Sequence, residues 1–144
     1  MLKYLIIINL FLSHCYANDD YFLTLRNDNV NLRLGPSFDY PIKIIYKKKY
    51  LPVLIKEKSE NFRKILDHEQ NSGWIHISQL SKKKAVLTLD DIILFRSSTV
   101  YSKPIAKIKR GRLLLISKCK KEWCKIKTED YSGWIKREKI WGKF

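Results

Sequence analysis

Apolar and polar positions alternate in short stretches along most of this chain. Val30, Leu32 and Leu34 alternate with Asn31 and Arg33, the pattern of a half-buried strand that Gly35-Pro36 ends. Ile42 to Tyr46 reads as a second strand. Tyr50 to Lys56 reads as a third, with Leu51, Val53 and Ile55 on one face. Phe62 to Leu66 follows a charged loop, and Trp74 to Ile77 comes after the turn at Asn71-Ser72-Gly73. The series then recurs as Ile92–Phe95, Ile105–Ile108, Arg112–Lys118, Trp123–Lys127 and Gly133–Lys136. Segments this short make poor amphipathic helices. Short strands with closely spaced turn signals predict an all-β fold of two tandem small barrels.

The recurrence is an internal repeat. Arg33 aligns with Arg96, Pro41-Ile42 with Pro104-Ile105, and Leu51-x-Val53 with Leu114-x-Ile116. Phe62-x-Lys64-Ile65 aligns with Trp123-x-Lys125-Ile126, and Ser72-Gly73-Trp74-Ile75 with Ser132-Gly133-Trp134-Ile135. The expected domains are 18–80 and 90–144, joined by a linker over 81–89.

The first residues follow another pattern. Met1-Leu2-Lys3 is a short positive start, and Tyr4 to Leu12 is apolar except for Asn9. Ser13-His14-Cys15-Tyr16-Ala17 then ends in a small residue before the polar Asn18-Asp19-Asp20. That order is the secretory signal pattern, predicting a signal helix over 1–17, cleavage after Ala17, and residence in the periplasm or outside the cell. A buried N-terminal strand or helix is the alternative. Lipidation at Cys15 is a third reading, although His14 stands where a lipobox takes a small residue. The apolar run is too short for an ordinary membrane span.

Composition adds a core and a charge. The chain has 144 residues, 45% hydrophobic, which suffices to bury a core. Lys and Arg number 29 against 14 Asp and Glu, a formal net charge of +15. The excess lies in the second half: residues 18–80 hold 10 basic and 8 acidic side chains, residues 81–144 hold 18 and 6. Such a surface is either simply solvated or faces an anion: phospholipid head groups, acidic wall polymer or an acidic protein. Nucleic acid would use the same charges, but export argues against it.

Few residues offer chemistry. Cys119 and Cys124 flank the tip of an expected hairpin, where facing Cα atoms come within disulfide range, and an oxidising compartment favours the bond. Beyond these thiols the chain after Ala17 offers only His68 and His76 as soft ligands, at a spacing that fits no zinc motif. No nucleophile elbow, Gly-rich phosphate loop or framed pair of acids is present. The expectation is therefore a non-enzymatic protein with no metal and no cofactor.

Asn31-Leu32-Arg33-Leu34-Gly35-Pro36-Ser37, with Gly73-Trp74-Ile75 and Gly133-Trp134-Ile135, resembles the bacterial SH3 (SH3b-like) family. The aromatic-x-Lys-Ile strands at Phe62 and Trp123 belong to the same pattern. The resemblance covers roughly residues 28–80 and 90–141. It marks Arg33, Gly35, Pro36, Gly73, Trp74, Gly133 and Trp134 as structural motif positions. It implies an exported tandem binding cell-wall peptide, peptidoglycan or an envelope protein. A scaffold that merely holds a partner protein, or a basic nucleic-acid binder, are the alternatives. Trp74 and Trp134 are expected in the barrel cores. Tyr40, Tyr46 and Tyr101 are expected to line a groove, with Trp141 either clamping the tail to the second barrel or exposed to a partner. Lys109, Arg110 and Arg112 are expected to supply the basic part of the binding face.

Overall fold

The computed structural model describes residues 19–144. The expected signal segment, its helix and Cys15 lie outside the described residues.

The first unit holds β1 (Tyr21–Leu25), β2 (Val30–Arg33), β3 (Ile42–Tyr46), β4 (Pro52–Ser59), β5 (Phe62–Leu66), β6 (Ser72–His76) and β7 (Leu80–Ser81). A single 3-10 turn at Ile77–Gln79 leads into β7. The second unit holds β8 (Ala85–Thr88), β9 (Ile92–Phe95), β10 (Pro104–Ile108), β11 (Leu113–Lys120), β12 (Trp123–Lys127), β13 (Ser132–Lys136) and β14 (Ile140–Trp141). The strand orders are β3-β2-β6-β5-β4-β1-β7 and β10-β9-β13-β12-β11-β8-β14, one topology used twice.

Every strand of the first unit sends a side chain into one core: Leu25, Leu32, Tyr46, Val53, Ile65, Ile75 and Leu80 in strand order. The sheet is therefore curled around that core. Val86, Leu94, Leu114, Ile116, Cys124, Ile126 and Ile135 form the second core. Each fully buried aliphatic side chain contributes about 1.5–3 kcal/mol.

The expected strands are present, and each unit adds an opening and a closing strand. The stretch expected as a linker, 81–89, carries β8. All four of its residues, Ala85-Val86-Leu87-Thr88, are buried. A strand buried on both faces does not alternate, so its sequence reads as a featureless apolar patch.

The repeat register also differs from the alignment by one residue in the first loop. Leu34 N–H donates to Pro41 C=O, and Arg96 N–H makes the same bond to Lys103 C=O. Arg33 pairs with Trp74 where Phe95 pairs with Trp134. Phe95, not Arg96, is thus the counterpart of Arg33. The two loops are equal in length, so the shared Arg and Pro-Ile, one residue out of structural register, misled the alignment. Leu51 and Val53 likewise correspond to Arg112 and Leu114, not to the aligned Leu114 and Ile116.

Gly73 and Gly133 are required by close approach. A Cβ on Gly73 would lie 2.7 Å from the Arg33 carbonyl oxygen, and one on Gly133 would lie 2.6 Å from that of Phe95. Gly73 faces core Leu32, so alternation turns Trp74 to the other side of the sheet. Trp74 is only half-buried, contrary to expectation, whereas Trp134 is buried as expected, though it joins neither aliphatic cluster. Lys118 and Lys120 cover Trp134, with their ammonium groups 5.6 and 4.9 Å from its ring centroid.

The units are packed together. Leu87 is part of the first unit's core, and Leu113 and Trp141 pack against it. Trp141 Nε1–H donates to Pro52 C=O at 2.8 Å, and its ring meets Phe22 edge-on at 5.2 Å. Trp141 thus clamps the tail twice: its backbone pairs with Leu87 in the second unit's sheet, as expected, and its ring docks onto the first unit.

Candidate functional site

The predicted aromatic and basic residues separate into several places. Arg33 governs the loop after β2. Its Nη1 donates to the carbonyls of Phe38 at 3.2 Å and Tyr40 at 2.9 Å. The Tyr40 ring covers Gly35 so closely that a Cβ there would lie 2.4 Å from it. Pro36 is half-buried in the same loop. The Arg-x-Gly-Pro motif therefore shapes a loop and leaves Tyr40 partly exposed on it.

That loop presents Phe38, 62% exposed and missed in the sequence. Its ring stands 5.2 Å from Phe62 and 5.0 Å from His76, with the Arg33 guanidinium 5.4 Å from it on another side. Phe38 had no periodic signal, because it belongs to a turn. In the second unit, Tyr101 stands at the tip of the corresponding loop. It is 95% exposed and makes no ring contact among the described residues. Tyr40 and Tyr101 do not form one groove with Trp141, which is committed to the interface between the units.

Tyr46 is a core residue, contrary to the expectation that it lines a groove. Its hydroxyl donates to Asp67 Oδ2 at 2.8 Å, and both residues are buried. Asp67 also accepts from the Glu69 and Asn71 N–H groups and from Asn71 Nδ2. Burial pushes the Asp67 carboxyl up, but these donors outweigh it and hold the group below its ordinary value. Burial, and then the Asp67 acceptor and its charge, push the Tyr46 phenol up. The Tyr46–Asp67 pair plugs the end of the first sheet between β3 and the turn after β5.

The second unit lacks this plug. Tyr46 is opposite Val30, and Ile108 is opposite Ile92, so Ile108 is the counterpart of Tyr46. The Asp67 N–H bonds to Asn71 C=O as Thr128 N–H bonds to Tyr131 C=O, so Thr128 replaces Asp67. Leu51, 3% exposed in the first core, corresponds to exposed Arg112: their carbonyls accept from Leu25 and Thr88. Three shorter or outward-turned side chains leave an open cleft of about 350 Å³. Its floor includes Leu94, Ile108, Leu114 and Ile126. Lys107, Lys109 and Arg112 supply its basic rim, and Thr128, Asp130 and Tyr131 also line it.

Two of the three predicted basic residues, Lys109 and Arg112, therefore meet at one site. Arg110 turns away to a crevice between the units, beside Lys48 and His68. Asp91 organises this rim. The Arg110 N–H donates to its carboxylate at 2.9 Å, and Lys107 and Lys109 each stand 3.4 Å from it. The Arg110 amide and then the lysines hold the Asp91 carboxyl below its ordinary value. Arg112 makes no ion pair among the described residues, so its guanidinium remains available.

Cys119 and Cys124 are directly opposite in β11 and β12, bonded, with Cα atoms 4.0 Å apart. Among the described residues no His, Cys, Asp and Glu side chains gather as a metal-binding group, and no helix is long and apolar enough to cross a membrane.

Two consecutive curled sheets, each with a Gly-Trp-Ile strand packed against the loop strand, define a tandem of small SH3-type units. The family model described as bacterial SH3 domain matches residues 26–82 and 93–142, and the chain belongs to that family. Comparison with curated proteins gives no match. Among solved structures, the chain is similar to NlpC2 from Trichomonas vaginalis, with 12% identity over 86% of this chain and 48% of that one, at a TM-score of 0.40. It is also similar to NlpC1 from the same organism, with 13% identity over 96% and 51%, at a TM-score of 0.39. An NlpC/P60 family protein from Bacillus cereus ATCC 10987 follows, with 11% identity over 83% and 55%, at a TM-score of 0.38. The chain spans about half the length of these structures.

Proposed function

We propose that this protein is an exported, non-catalytic tandem of bacterial SH3 units that binds cell-wall peptide or peptidoglycan. Bacterial SH3 domains often bind the cell wall, which supports the reading for both units. The observation that carries it is the asymmetry between copies: the second combines the positive charge with an open cleft where the first is plugged. Its cationic rim suits the carboxylates of wall peptides. Export rests on the signal pattern of residues 1–17. An envelope protein presenting similar acidic peptide would engage the same surface.

Co-sedimentation of residues 18–144 with purified sacculi tests the reading. Retention at physiological salt is expected, weakened when Lys109 and Arg112 are both changed to Glu. Free protein in the supernatant at every salt concentration would sink it. Mass spectrometry of the protein from its native host tests export through the loss of residues 1–17.

A further inference from the structure

The plug of the first unit and the cleft of the second occupy the same place in one fold. The difference is made by Ile108 for Tyr46, Thr128 for Asp67 and Arg112 for Leu51. The exchange removes an aromatic ring and a carboxylate from the end of the sheet. Arg112, Lys107 and Lys109 instead line the opening, over an apolar floor.

We propose that this cleft takes the free carboxylate end of a short peptide whose last side chain is small and apolar. Arg112 presents the planar fork that receives a carboxylate through two parallel hydrogen bonds. Lys107 and Lys109 line the same cleft and add positive charge at its rim, with their ammonium groups 3.4 Å from Asp91. Leu94, Ile108 and Leu114 form the apolar seat beneath. The lining also includes Tyr131 and Asp130, whose carboxylate is an acceptor for a backbone N–H one residue back along the ligand. Asp130 also selects against a dianion, because a phosphate would meet a carboxylate in the same cleft. The volume, about 350 Å³, lies at the small end of ligand pockets, which suits a chain end rather than a long extended strand.

The inference rests on the wall-binding reading only for the source of such ends. The test is a titration of residues 18–144 followed by backbone amide NMR shifts. The probes are N-acetyl-Ala-Ala with a free carboxylate, its C-terminal amide and inorganic phosphate. Shifts are expected at Leu114, Ile126 and Tyr131 with the free acid, with affinity at least tenfold weaker for the amide and for phosphate. The paired change Ile108→Tyr and Thr128→Asp rebuilds the first unit's plug and should abolish the shifts. Arg112→Leu, at an exposed position whose counterpart is already Leu, should weaken binding tenfold or more, and it carries the test where the paired variant folds poorly. Arg110→Gln should leave them unchanged. Equal binding of acid and amide, equal binding of phosphate, or shifts centred on Phe38 instead would overturn the assignment. Retention of Arg112→Leu on sacculi equal to that of the parent would overturn the cleft and leave wall binding standing. Peptide binding without sacculus retention would do the reverse.

Discussion

Replacing Tyr46 with Phe removes one oxygen from a buried carboxylate's coordination and changes almost nothing else. The ring stays in the first core, so the packing term is nearly constant. What is lost is a 2.8 Å hydrogen bond to Asp67, whose side chain lies in a residue only 1% exposed. Hydrogen bonds to charged groups contribute about 1.5–3 kcal/mol. Asp67 keeps its donors from Glu69 and Asn71, so the cost belongs at the lower end, about 1.5–2 kcal/mol. For a chain of this size that lowers the thermal midpoint by roughly 6–10 °C. The pH dependence gives the cause away. Asp67 has a folded-state value held below its ordinary 3.8, so its contribution is fully present above that value and is lost as pH falls through the lowered one. The penalty of the Phe variant should therefore be largest from about pH 5 upward and shrink toward pH 2 as the carboxyl becomes neutral. Urea unfolding of both proteins across this range measures it. A double-mutant cycle with Asp67→Asn isolates the coupling. A penalty below about 0.5 kcal/mol, or one that does not change with pH, would refute the argued role of the charged plug.

Trp141→Ala should separate the two units energetically: one cooperative transition by calorimetry becomes two, because the Pro52 hydrogen bond and the Phe22 contact hold the tail of one unit in the core of the other. A single unchanged transition would mean that Leu87 and Leu113 suffice. The paired change Cys119→Ser and Cys124→Ser should lower stability by about 2 kcal/mol, the value for so short a closed loop. Tryptophan emission from the second unit should report the loss, while amide exchange in β1 to β6 stays close to that of the parent.

Much of the fold was legible because half-buried strands announce themselves by alternation. Val30-x-Leu32 and Leu51-x-Val53-x-Ile55 place core residues in register with a period of two. The Gly-Trp-Ile strands were legible too, although Trp74 was assigned to the core and is only half-buried. Size and aromaticity suggested burial in the core, whereas the tightly approached glycine fixes which side faces inward. β8 was illegible for the opposite reason, since burial on both sides erases alternation. Tyr46 was misread because a tyrosine at a strand end looks the same whether its hydroxyl meets water or a buried carboxylate. Its partner lies 21 residues away, and nothing local joins the two. Lys109 and Arg112 were found through charge density, but charge alone could not distinguish them from Arg110, which the turn at Gly111 sends elsewhere.

The one-residue slip in the repeat alignment bears directly on the site. Read by sequence identity, the second copy keeps the arginine of the first as Arg96. Read by hydrogen bonds, that position is Phe95, which meets Trp123 edge-on at 5.6 Å where the first unit has Arg33 beside Phe38. The second unit has therefore lost the arginine that ties its loop, and it has lost the Tyr46-type plug as well. Both losses remove local constraints from one sheet. A bond between facing strands and a tail anchored in the neighbouring core are constraints of another kind, each placed away from the cleft. They offset the missing contacts without filling the opening. An end of a sheet can stay open only if something else holds its strands, and in this unit the holding groups are Cys119–Cys124 on one side and Trp141 on the other.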